Sequence, residues 1–532
     1  MSNVNITASL NEKQWDELLP QNDPKRDFIM QGVRKGFKLS ELDCKEASAP
    51  ILMKNYYSAF KYRHPVQHQI LEELENGRYL LVKDPPKIIS AIGAIPKKNG
   101  KIRLIHDCSR PAGNAVNDFA IRDKFKYQNL QDAMNMISPG DFLAKVDLQS
   151  AYRSVRVSPD EHEKLGISWV FEGAVHPSFM VDCCLPFGHA RSPFVFNELS
   201  QAVCRIMKVY GYEYVMAYLD DFLIASRSFQ ECRQALMFLI SILRRLGFAI
   251  SYPKVEGPVQ RLTFLGFKLD TIELTVSLTR ERVAELNQLL SDTLLHAKIT
   301  KGKIQSIIGK LNYCTQVVYG GRFFLRRLIN IVNTLKQPWH RTRVTKEMRA
   351  DIQWWMSFGL IFCSKPLPMV QPRRGGNVAL SMDASGLAAG SFFMGDCCYS
   401  QFGDRTKDLC INYKEILALL PAVEKWGHYF ANKHLHVYSD NMCAVNTINK
   451  GSSKHPVVMS ALRKVFWCSV YFNFRITCHY YPGVRNVLAD AVSRLHEKSG
   501  VLRYNELLSK WYQTNAFNQY ICFDEGCSCH GD

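Results

Sequence analysis

Two adjacent aspartates interrupt an otherwise apolar run in the stretch Val215-Met216-Ala217-Tyr218-Leu219-Asp220-Asp221-Phe222-Leu223-Ile224-Ala225. Apolar residues on both sides of a short polar tip predict a β-hairpin whose strands pack on a core, with the aspartates at the turn. Neighbouring carboxylates repel each other and are costly to bury in ionised form, so a divalent cation would keep them charged. Asp220 and Asp221 are therefore candidate metal ligands. The alternative is an ordinary polar turn, which aspartate favours.

A third candidate ligand is Asp147, which ends the apolar strand predicted over residues 142–147. Placed beside the Asp220-Asp221 hairpin, this strand end would gather three acids around two hard cations. Two such ions roughly 3.5–4 Å apart clamp the attacking and leaving oxygens of phosphoryl transfer. Taken alone, Asp147 could equally be a simple strand end or a helix N-cap. Together the three acids predict nucleotidyl transfer.

The motifs around these acids resemble those of a reverse transcriptase and occur in the same order along the chain. Residues 94–107 resemble the fingers hairpin of that family, in which a glycine turn joins strands that carry cations. In the family, the arginine at the position of Arg103 and a lysine near Lys98 hold the incoming triphosphate, which needs cationic donors. Each lysine could instead be a solvated surface charge, and Lys97 and Lys101 compete with Lys98 for the role.

The resemblance also implies a nucleotide pocket. Residues 185–197 resemble the family's loop and helix behind the templating base and the nucleotide, and Phe187 occupies a position that is often Phe in related retroelements. Tyr152, five residues after Asp147, matches the aromatic steric gate against the ribose 2′-OH. The alternative for Tyr152 is an ordinary core aromatic. The resemblance assigns further substrate-binding residues at Leu148, Gly188 and Tyr218.

Two later segments resemble the rest of the polymerase site. Residues 246–254 resemble the segment whose lysine, here Lys254, protonates the leaving pyrophosphate. Phe264-Leu265-Gly266-Phe267 resembles the primer grip, which positions the 3′ end. A lysine near a proline is usually a surface residue, however, and such an apolar strand is usually core.

A second set of four acids resembles the active site of ribonuclease H. Asp383 and Asp440 each end a predicted strand, Glu415 lies in the first turn of a predicted amphipathic helix, and Asp490 lies on a late turn or helix. In that family, four carboxylates in this order bind two Mg²⁺ ions and direct a water at the RNA strand. Individually they could be polar strand ends, a carboxylate stabilised by the helix dipole and an N-cap.

Among reverse transcriptases, the chain is most similar to those of DIRS-like retroelements, the group that integrates with a tyrosine recombinase. The segments that carry this similarity are 103–118, 438–441, 449–451, Pro482-Gly483 and 486–490. His479 lies one residue farther from Pro482-Gly483 than in the His-x-Pro-Gly pattern of related elements, which leaves a catalytic role for it open. The resemblances together cover about residues 25 to 495.

The composition suits a protein that binds nucleic acid. The chain has 532 residues and a formal net charge of +18, which favours a partner that carries phosphates. A basic protein that merely avoids aggregation is the alternative. Arg322, Arg326 and Arg327 are interleaved with apolar residues and are predicted to lie on a thumb or connection helix that tracks the duplex without sequence preference.

Cysteine use and the start of the chain predict a location in the cytoplasm or nucleus rather than secretion. The seventeen cysteines are scattered and odd in number, as expected of reduced thiols. The first residues are polar, without the apolar core of a signal peptide, and no run reaches the length of a membrane span, so we expect a soluble protein. Cys522, Cys527, Cys529 and His530 could bind zinc, but their spacing fits neither a knuckle nor a ribbon, which favours unpaired thiols.

The predicted fold is an α+β right-hand polymerase with fingers, palm and thumb, followed by an α/β ribonuclease H-like domain with a mixed five-stranded sheet. The predicted divisions are an N-terminal lead-in segment at 1–45, fingers and palm at 46–277, thumb and connection helices at 278–370, a ribonuclease H-like domain at 371–495 and a C-terminal tail at 496–532. The clearest linker is 371–376, where Pro, Gly and charge cluster.

The sequence therefore predicts an RNA-directed DNA polymerase joined to a ribonuclease H, with two Mg²⁺ ions per active site and Mn²⁺ as an alternative ion. The expected partners are an RNA template, a DNA primer, dNTPs, the RNA–DNA hybrid and other retroelement proteins, with no membrane. The competing interpretation is a decayed or host-adopted copy that binds nucleic acid without catalysis. The presence of all seven acids weighs against it.

Overall fold

The computed structural model describes residues 10–41, 51–97, 102–366 and 376–515. Lys98, most of the predicted linker at 371–376 and the tail cysteines with His530 lie outside these ranges. The described chain forms two compact units, which divide between Thr275 and Val276.

The first unit combines helices with short sheets. Its helices are α1 (Glu12–Leu18), α2 (Arg26–Lys35), α3 (Tyr57–Lys61), α4 (Arg63–Glu75), α5 (Leu130–Met136), α6 (Ser192–Val209) and α7 (Phe229–Leu246). Its strands are β1 (Ile51–Leu52), β2 (Tyr79–Val82), β3 (Ile88–Ile89), β4 (Ala91–Pro96), β5 (Ile102–Asp107), β6 (Phe142–Asp147), β7 (Gly166–Trp169), β8 (Ser178–Asp182), β9 (Val215–Tyr218), β10 (Asp221–Ser226), β11 (Glu256–Val259), β12 (Arg261–Phe264) and β13 (Phe267–Asp270).

A four-stranded sheet in the order β11-β6-β10-β9 carries the two aspartate motifs. Strands β9 and β10 form an antiparallel hairpin, which confirms the predicted one, and β10 also pairs with β6 so that Asp221 lies opposite Asp147. Phe222 and Leu223 are fully buried, whereas the acids lie at the end of the sheet. The apolar residues thus anchor the strands and leave the carboxylates at the rim of the core.

Local sequence signals set the two helices that pack under this sheet. Pro193 lies in the first turn of α6, where a missing N–H costs no hydrogen bond. Helix α7 begins with a capping box formed by Ser228 and Glu231 and ends at Gly247, which adopts the left-handed conformation. Both helices contribute fully buried residues, such as Leu199, to the palm core.

The segment predicted as a lead-in packs on this same core. Trp15 of α1 is fully buried, and its indole N–H donates to the carbonyl oxygen of Leu246 at 3.1 Å. Arg205 of α6 donates two hydrogen bonds, of 2.6 and 3.0 Å, to the carboxylate of Asp23. Residues 10–41 are therefore an integral part of the first unit.

The predicted fingers contain a five-stranded sheet in the order β1-β3-β7-β8-β2 and a separate β4–β5 hairpin. Ile92 and Leu104 of the hairpin share a core with Trp169 of β7. Beside it, the buried guanidinium of Arg153 pairs with Glu73 at 3.0 Å and with Asp182 at 2.9 Å. Buried charges need such partners because desolvation is costly.

The second unit begins with helices and ends in another mixed α/β layer. Its helices are α8 (Arg280–Leu295), α9 (Lys301–Cys314), α10 (Arg326–Thr334), α11 (Lys346–Trp354), α12 (Ile411–Leu417), α13 (Leu419–Trp426), α14 (Met442–Lys450), α15 (Pro456–Tyr471), α16 (Val487–Ser493) and α17 (Lys498–Asn515). Its strands are β14 (Thr275–Leu278), β15 (Lys298–Thr300), β16 (Arg341–Arg343), β17 (Ser364–Pro366), β18 (Asn377–Ala384), β19 (Ala388–Phe393), β20 (Asp396–Gln401), β21 (His434–Ser439) and β22 (Arg475–Tyr480).

The predicted mixed five-stranded sheet is present, in the order β20-β19-β18-β21-β22. Strands β18, β21 and β22 are parallel to one another, whereas β18, β19 and β20 are antiparallel. Leu435 and Val437 of β21 are fully buried in one core with Trp426 of α13 and Leu462 of α15. The sheet therefore presents the C-terminal ends of β18 and β21 at the same edge.

Helix α17 extends this domain beyond the predicted boundary at residue 495. Tyr504 is buried against Phe392 of β19, and Leu507, Leu508 and Trp511 pack on the same cluster. Their spacing of three, four and seven residues from Tyr504 is that of one helix face. This spacing was the signal that could have placed the helix in the domain rather than in a tail.

A buried ion cluster joins α10, α11 and α15. Asp351 is fully buried, and its carboxylate accepts a hydrogen bond from Arg327 at 2.8 Å, while Arg463 lies 3.6 Å from its other oxygen. Arg326 donates to Asn330 on its own helix at 2.9 Å. The prediction that Arg327 tracks a duplex therefore differs from the structure, in which this partly exposed guanidinium is paired with the buried carboxylate of Asp351.

Candidate active sites

The tip of the β9–β10 hairpin carries Asp220 in its turn and Asp221 as the first residue of β10. Leu219, the other turn residue, has a φ of 53°, a left-handed conformation that costs a non-glycine residue on the order of 1–2 kcal/mol. Its side chain packs on the palm core, and the carbonyl oxygen of Asp220 accepts from the N–H of Leu148 at 3.1 Å. Packing and this hydrogen bond hold the tip beside the end of β6.

Burial dominates the electrostatics of the three palm acids. Burial, together with a hydrogen bond with Asp147 and the charge of Asp220, raises the pKa of Asp221 to about 7. Burial also raises the pKa of Asp220, to which the charge of Asp147 adds. Crowded carboxylates of this kind retain protons unless a cation offsets their repulsion. Asp147, Asp220 and Asp221 therefore fit a site for hard divalent cations.

Lys254 lies directly against the third acid. Its Nζ donates to both carboxylate oxygens of Asp147, at 2.9 and 3.0 Å. This hydrogen bond raises the pKa of Lys254, so the ammonium form persists at neutral pH. The lysine side chain is 63% exposed, and an exposed pair of this kind is weak. Lys254 can therefore exchange Asp147 for another anion at little cost.

A stack of three side chains lies beside the acids. The guanidinium of Arg103 is 5.6 Å from the ring centre of Phe187, and that ring lies on Tyr152 with centroids 5.0 Å and planes 14° apart. Burial raises the pKa of Tyr152, and the nearby charge of Asp220 contributes to the shift. The structure thus brings together Arg103, Phe187 and Tyr152, which sequence reasoning placed in one pocket.

Three further predicted pocket residues differ in their surroundings. Tyr218 packs on Tyr127 at a centroid distance of 5.5 Å, at the end of β9. Gly188 has a φ of 135°, and a Cβ there would overlap the carbonyl oxygen of His106, so the position requires glycine. Leu148 is only 3% exposed and its side chain belongs to the core, so its backbone alone is available to a substrate.

The second acidic centre lies at the edge of the five-stranded sheet. Asp383 ends β18, Asp440 follows β21 and Glu415 projects from α12, and one carboxylate oxygen of each lies within 4.8 Å of the other two. Glu415 is the fifth residue of α12, so it lies in the second turn and not in the first as predicted. Two strand ends and one helix face therefore converge as the sequence indicated.

These three acids also have the character of a cation site. Burial, together with the charge of Asp383, raises the pKa of Glu415 to about 9. Burial raises the pKa of Asp383 to about 6, although a hydrogen bond from Ser493 opposes the shift. Within the described residues, Glu415 Oε2 is buried without a hydrogen-bond partner. An orphaned buried oxygen among crowded acids fits a divalent cation.

Asp490 differs from these three acids because its carboxylate is paired with arginines. Its two carboxylate oxygens accept hydrogen bonds from Arg494 and from Arg503 of α17, both at 2.9 Å. Its charge still contributes to the raised pKa of Asp383, so it lies near the site. His479 Nε2 shares a hydrogen bond of 2.9 Å with His436 Nδ1 on the neighbouring strand. The sequence offered no signal for Arg503, which belongs to a helix outside the predicted domain, whereas Arg494 lies four residues after Asp490, at the spacing of a helical ion pair.

Comparison with known proteins identifies part of the chain. Residues 95–269 match the family model described as reverse transcriptase (RNA-dependent DNA polymerase). The enzymatic polyprotein of cassava vein mosaic virus is 23% identical over 432 residues, which are 77% of this chain and 60% of the relative. The transposon Tf2-3 polyprotein of Schizosaccharomyces pombe is 22% identical over 474 residues, 82% of this chain and 32% of the relative. The chain thus spans less than two thirds of either polyprotein.

Solved structures share the fold. The foamy viral protease-reverse transcriptase in complex with RNA/DNA hybrid matches with a TM-score of 0.53 and 17% identity, over 91% of this chain and 65% of that one. The same viral protein in complex with dsDNA matches with a TM-score of 0.51 and 17% identity, over 90% and 99% of the two chains. Residues 95–269 are therefore a reverse transcriptase domain of the kind found in retroelement polyproteins.

Every helix within the described ranges is too short or too polar to span a membrane.

Proposed function

We propose that this chain is an RNA-directed DNA polymerase whose active site is built from Asp147, Asp220 and Asp221. The observation that supports this most directly is the strand register, which sets Asp221 opposite Asp147 and leaves Asp220 at the adjoining turn. Three carboxylates at one sheet end, with pKa values raised by burial for Asp220 and Asp221, suit two divalent cations. When bound there, Mg²⁺ or Mn²⁺ would supply charge stabilisation for nucleotidyl transfer to a primer.

The residues around the acids have separate roles in the proposed reaction. Arg103 binds the triphosphate of the incoming dNTP as a fixed guanidinium donor, a role that Lys98 shares in the sequence prediction. Tyr152, held by its stack with Phe187, excludes nucleotides that carry a 2′-OH. Lys254 is protonated and only loosely paired with Asp147, so it donates a proton to the leaving pyrophosphate.

The second acidic centre is proposed to be a ribonuclease H that cleaves the RNA strand of the hybrid. Asp383, Glu415 and Asp440 supply the convergent oxygens, and Asp490 joins them after leaving its arginine partners. Glu415, with a pKa raised to about 9, would hold a proton in the absence of a cation. Displacement of that proton accompanies binding of a divalent metal.

The finer biological assignment rests on sequence similarity rather than on these two activities. We assign the chain to a DIRS-like retroelement, acting in the cytoplasm or nucleus on an RNA template, a DNA primer and dNTPs, together with other proteins of the element. The similarity carried by residues 103–118 and 438–441 supports this subgroup.

Primer extension tests the polymerase assignment. Purified wild-type protein should extend a DNA primer on an RNA template when Mg²⁺ is added, whereas Asp220→Asn and Asp147→Asn should reduce the rate by at least about a thousandfold. Asp160→Asn, an exposed acid of the same unit, is the matched control. Extension by Asp220→Asn at the wild-type rate would remove these acids from catalysis, and an inactive wild type would favour a decayed copy that only binds nucleic acid.

A further inference from the structure

The position of Phe187 depends on the loop formed by residues 187–190. The ring of Phe187 lies between the guanidinium of Arg103 and the ring of Tyr152. A shift of this loop would therefore move two neighbours at once, one a cation and the other an aromatic ring. A side chain that fixes the loop therefore affects the positions of both Arg103 and Tyr152.

Asn117 binds this loop on both sides of His189. Its Oδ1 accepts a hydrogen bond from the N–H of Ala190 at 2.7 Å, and its Nδ2 donates to the carbonyl oxygen of Gly188 at 2.9 Å. The second Nδ2 hydrogen is donated to the hydroxyl oxygen of Ser109, also at 2.9 Å. All the strong donors of this amide are used, and a flipped amide would set oxygen against oxygen at Gly188.

The opposite side of the loop is held by the fingers hairpin. The N–H of His106 on β5 donates to the carbonyl oxygen of Phe187 at 3.0 Å, and the close approach of Gly188 to His106 leaves no space for a Cβ. His189 points inward and is buried, and burial lowers its pKa to about 3, so it remains neutral. The loop is thus bound by β5 on one side and by Asn117 on the other.

The contacts of the loop with β5 and with Asn117 differ in how much their loss would destabilise the fold. His189 is buried, and Gly188 leaves no space for a Cβ against the carbonyl oxygen of His106, so a substitution at either residue would damage the fold. The hydrogen bonds of Asn117 are at an exposed surface, where water can replace the lost partners. Removing the Asn117 side chain should therefore leave the protein folded and allow the loop, with Phe187, to move.

We infer that Asn117 is a positioning residue of the nucleotide site, which sets Phe187 and through it the steric barrier formed by Tyr152. Asn117 acts without touching the nucleotide, by holding the backbone of Gly188 and Ala190. Its presence lowers the entropy that the pocket would lose on binding a dNTP. The inference rests on the proposed polymerase function, because Phe187 and Tyr152 contact a nucleotide only if that function holds.

Single-nucleotide incorporation on a defined primer and template tests this role. For Asn117→Ala, the KM for dNTP should rise about tenfold, since two hydrogen bonds that order the loop are lost, while kcat stays within about threefold of the wild type. Discrimination against the matching rNTP should fall in the same variant. Asn114→Ala changes an exposed asparagine of the same segment and should leave both quantities unchanged.

Two further variants keep the test decisive if Asn117→Ala folds poorly. Asn117→Asp keeps the acceptor for the N–H of Ala190 but places a carboxylate oxygen against the carbonyl oxygen of Gly188. It should therefore raise the KM for dNTP as Asn117→Ala does. Ser109→Ala removes the third partner alone and should give a smaller rise in KM. An unchanged KM and unchanged sugar discrimination in Asn117→Ala or Asn117→Asp would overturn the inference, as would a fall in kcat that tracks lost thermal stability. Absence of incorporation by the wild type would overturn the proposed function and this inference with it.

Discussion

Aromatic neighbours hold the ring of Tyr152 in place. It lies flat on Phe187 and also contacts Phe196 at a centroid distance of 5.3 Å. Tyr152→Ala should admit ribonucleotides, because the ring that would collide with a 2′-OH is gone while the acids are untouched. We expect the preference for dNTP over rNTP to fall by about 10- to 100-fold, measured as the ratio of kcat/KM values. Tyr152→Phe keeps the ring and is the matched control, and an unchanged ratio in the alanine variant would make Tyr152 a core residue only.

Single residues also show how much of the candidate site can be predicted from the sequence. Asp147, Asp220 and Asp221 could be found because they occur together with further motifs of one family in the same order along the chain, although each acid alone has an ordinary structural explanation. Asn117 could not, because its function depends on the backbone of Gly188 and Ala190, about seventy residues away in the chain. Hydrogen bonds from side chain to distant backbone leave no pattern in a sequence.

At the level of elements, strands β15 and β16 form a short ribbon with an unusual concentration of positive charge. Residues 296–301 and 336–346 contain six lysines and arginines and no acid. Lys298 lies directly opposite Arg343, and Arg341 projects from the same face, while Ile299 is buried on the other. Within the described chain, these three exposed cations have no carboxylate partner. Like charges placed opposite each other are unfavourable unless an anion lies between them.

We expect this ribbon to contact the phosphates of a bound duplex. Replacing Lys298, Arg341 and Arg343 by alanine should weaken binding to a labelled RNA–DNA hybrid and reduce the slope of log K against log salt by about 2–3, since each lost phosphate contact contributes about 0.9. The measurement is a fluorescence anisotropy titration at several salt concentrations. A control triple, Arg280→Ala with Arg405→Ala and Lys464→Ala, makes the same charge change on other elements of the unit. If both triples lower the slope equally, the ribbon has no special role.

The cluster that joins α10, α11 and α15 predicts a pH dependence of stability. Burial raises the pKa of Asp351 to about 6, because Arg463 at 3.6 Å is too distant for a hydrogen bond and Arg327 alone does not offset the desolvation. A carboxyl with a raised pKa favours folding while protonated, so its contribution is complete below the unfolded value of about 4 and is lost as the pH rises through 6.

Asp351→Asn should remove this dependence. As the pH rises from 4 to 8, the free energy of unfolding of the variant minus that of the wild type should increase by on the order of 2–3 kcal/mol. Urea denaturation at several pH values, followed by circular dichroism, gives the difference between the two proteins and so isolates Asp351 from other titrating acids. Glu347→Gln, an exposed acid of the same helix, should show no such gain. Parallel pH profiles of Asp351→Asn and wild type would contradict the raised pKa.

Secondary-structure elements could be predicted where a single sequence pattern was strong. The hairpin of β9 and β10 and the mixed sheet around β18 and β21 follow from apolar runs that end in acids. Helix α17 was missed although Tyr504, Leu507, Leu508 and Trp511 share one face, because the resemblance ended near residue 495. The partnership of Arg327 with Asp351 could not be predicted, since an arginine interleaved with aromatic residues has the same pattern on a surface and in a buried cluster.

Across the whole molecule, the two acidic centres show one shared feature. In each, a cation from a neighbouring element pairs with one acid, Lys254 with Asp147 in the first and Arg503 with Asp490 in the second. Lys254 could be predicted from the resemblance carried by residues 246–254, whereas Arg503 could not, because it belongs to a helix outside the predicted domain. Each of these ion pairs compensates the charge of one acid of its centre in the absence of a metal ion.

The centres are built from residues of different units, so their activities should be separable by single substitutions. Asp440→Asn should eliminate hydrolysis of the RNA strand in a hybrid while DNA synthesis continues at the wild-type rate. Asp440 shares its site with Asp383 and Glu415 within 4.8 Å, and an amide is a weaker ligand for a hard cation than a carboxylate. Binding of the hybrid should persist, because it depends on many phosphate contacts.

Two assays on one preparation decide the outcome: cleavage of a hybrid with labelled RNA, and extension of a primer on the same template. Asp404→Asn, an exposed acid of the same domain, should leave both rates unchanged. Cleavage by Asp440→Asn at the wild-type rate, in protein shown to be free of contaminating nuclease, would return Asp383, Glu415 and Asp440 to a structural role. Loss of both activities in Asp440→Asn would instead show that the two centres are coupled, which their construction from separate sets of strands and helices does not predict.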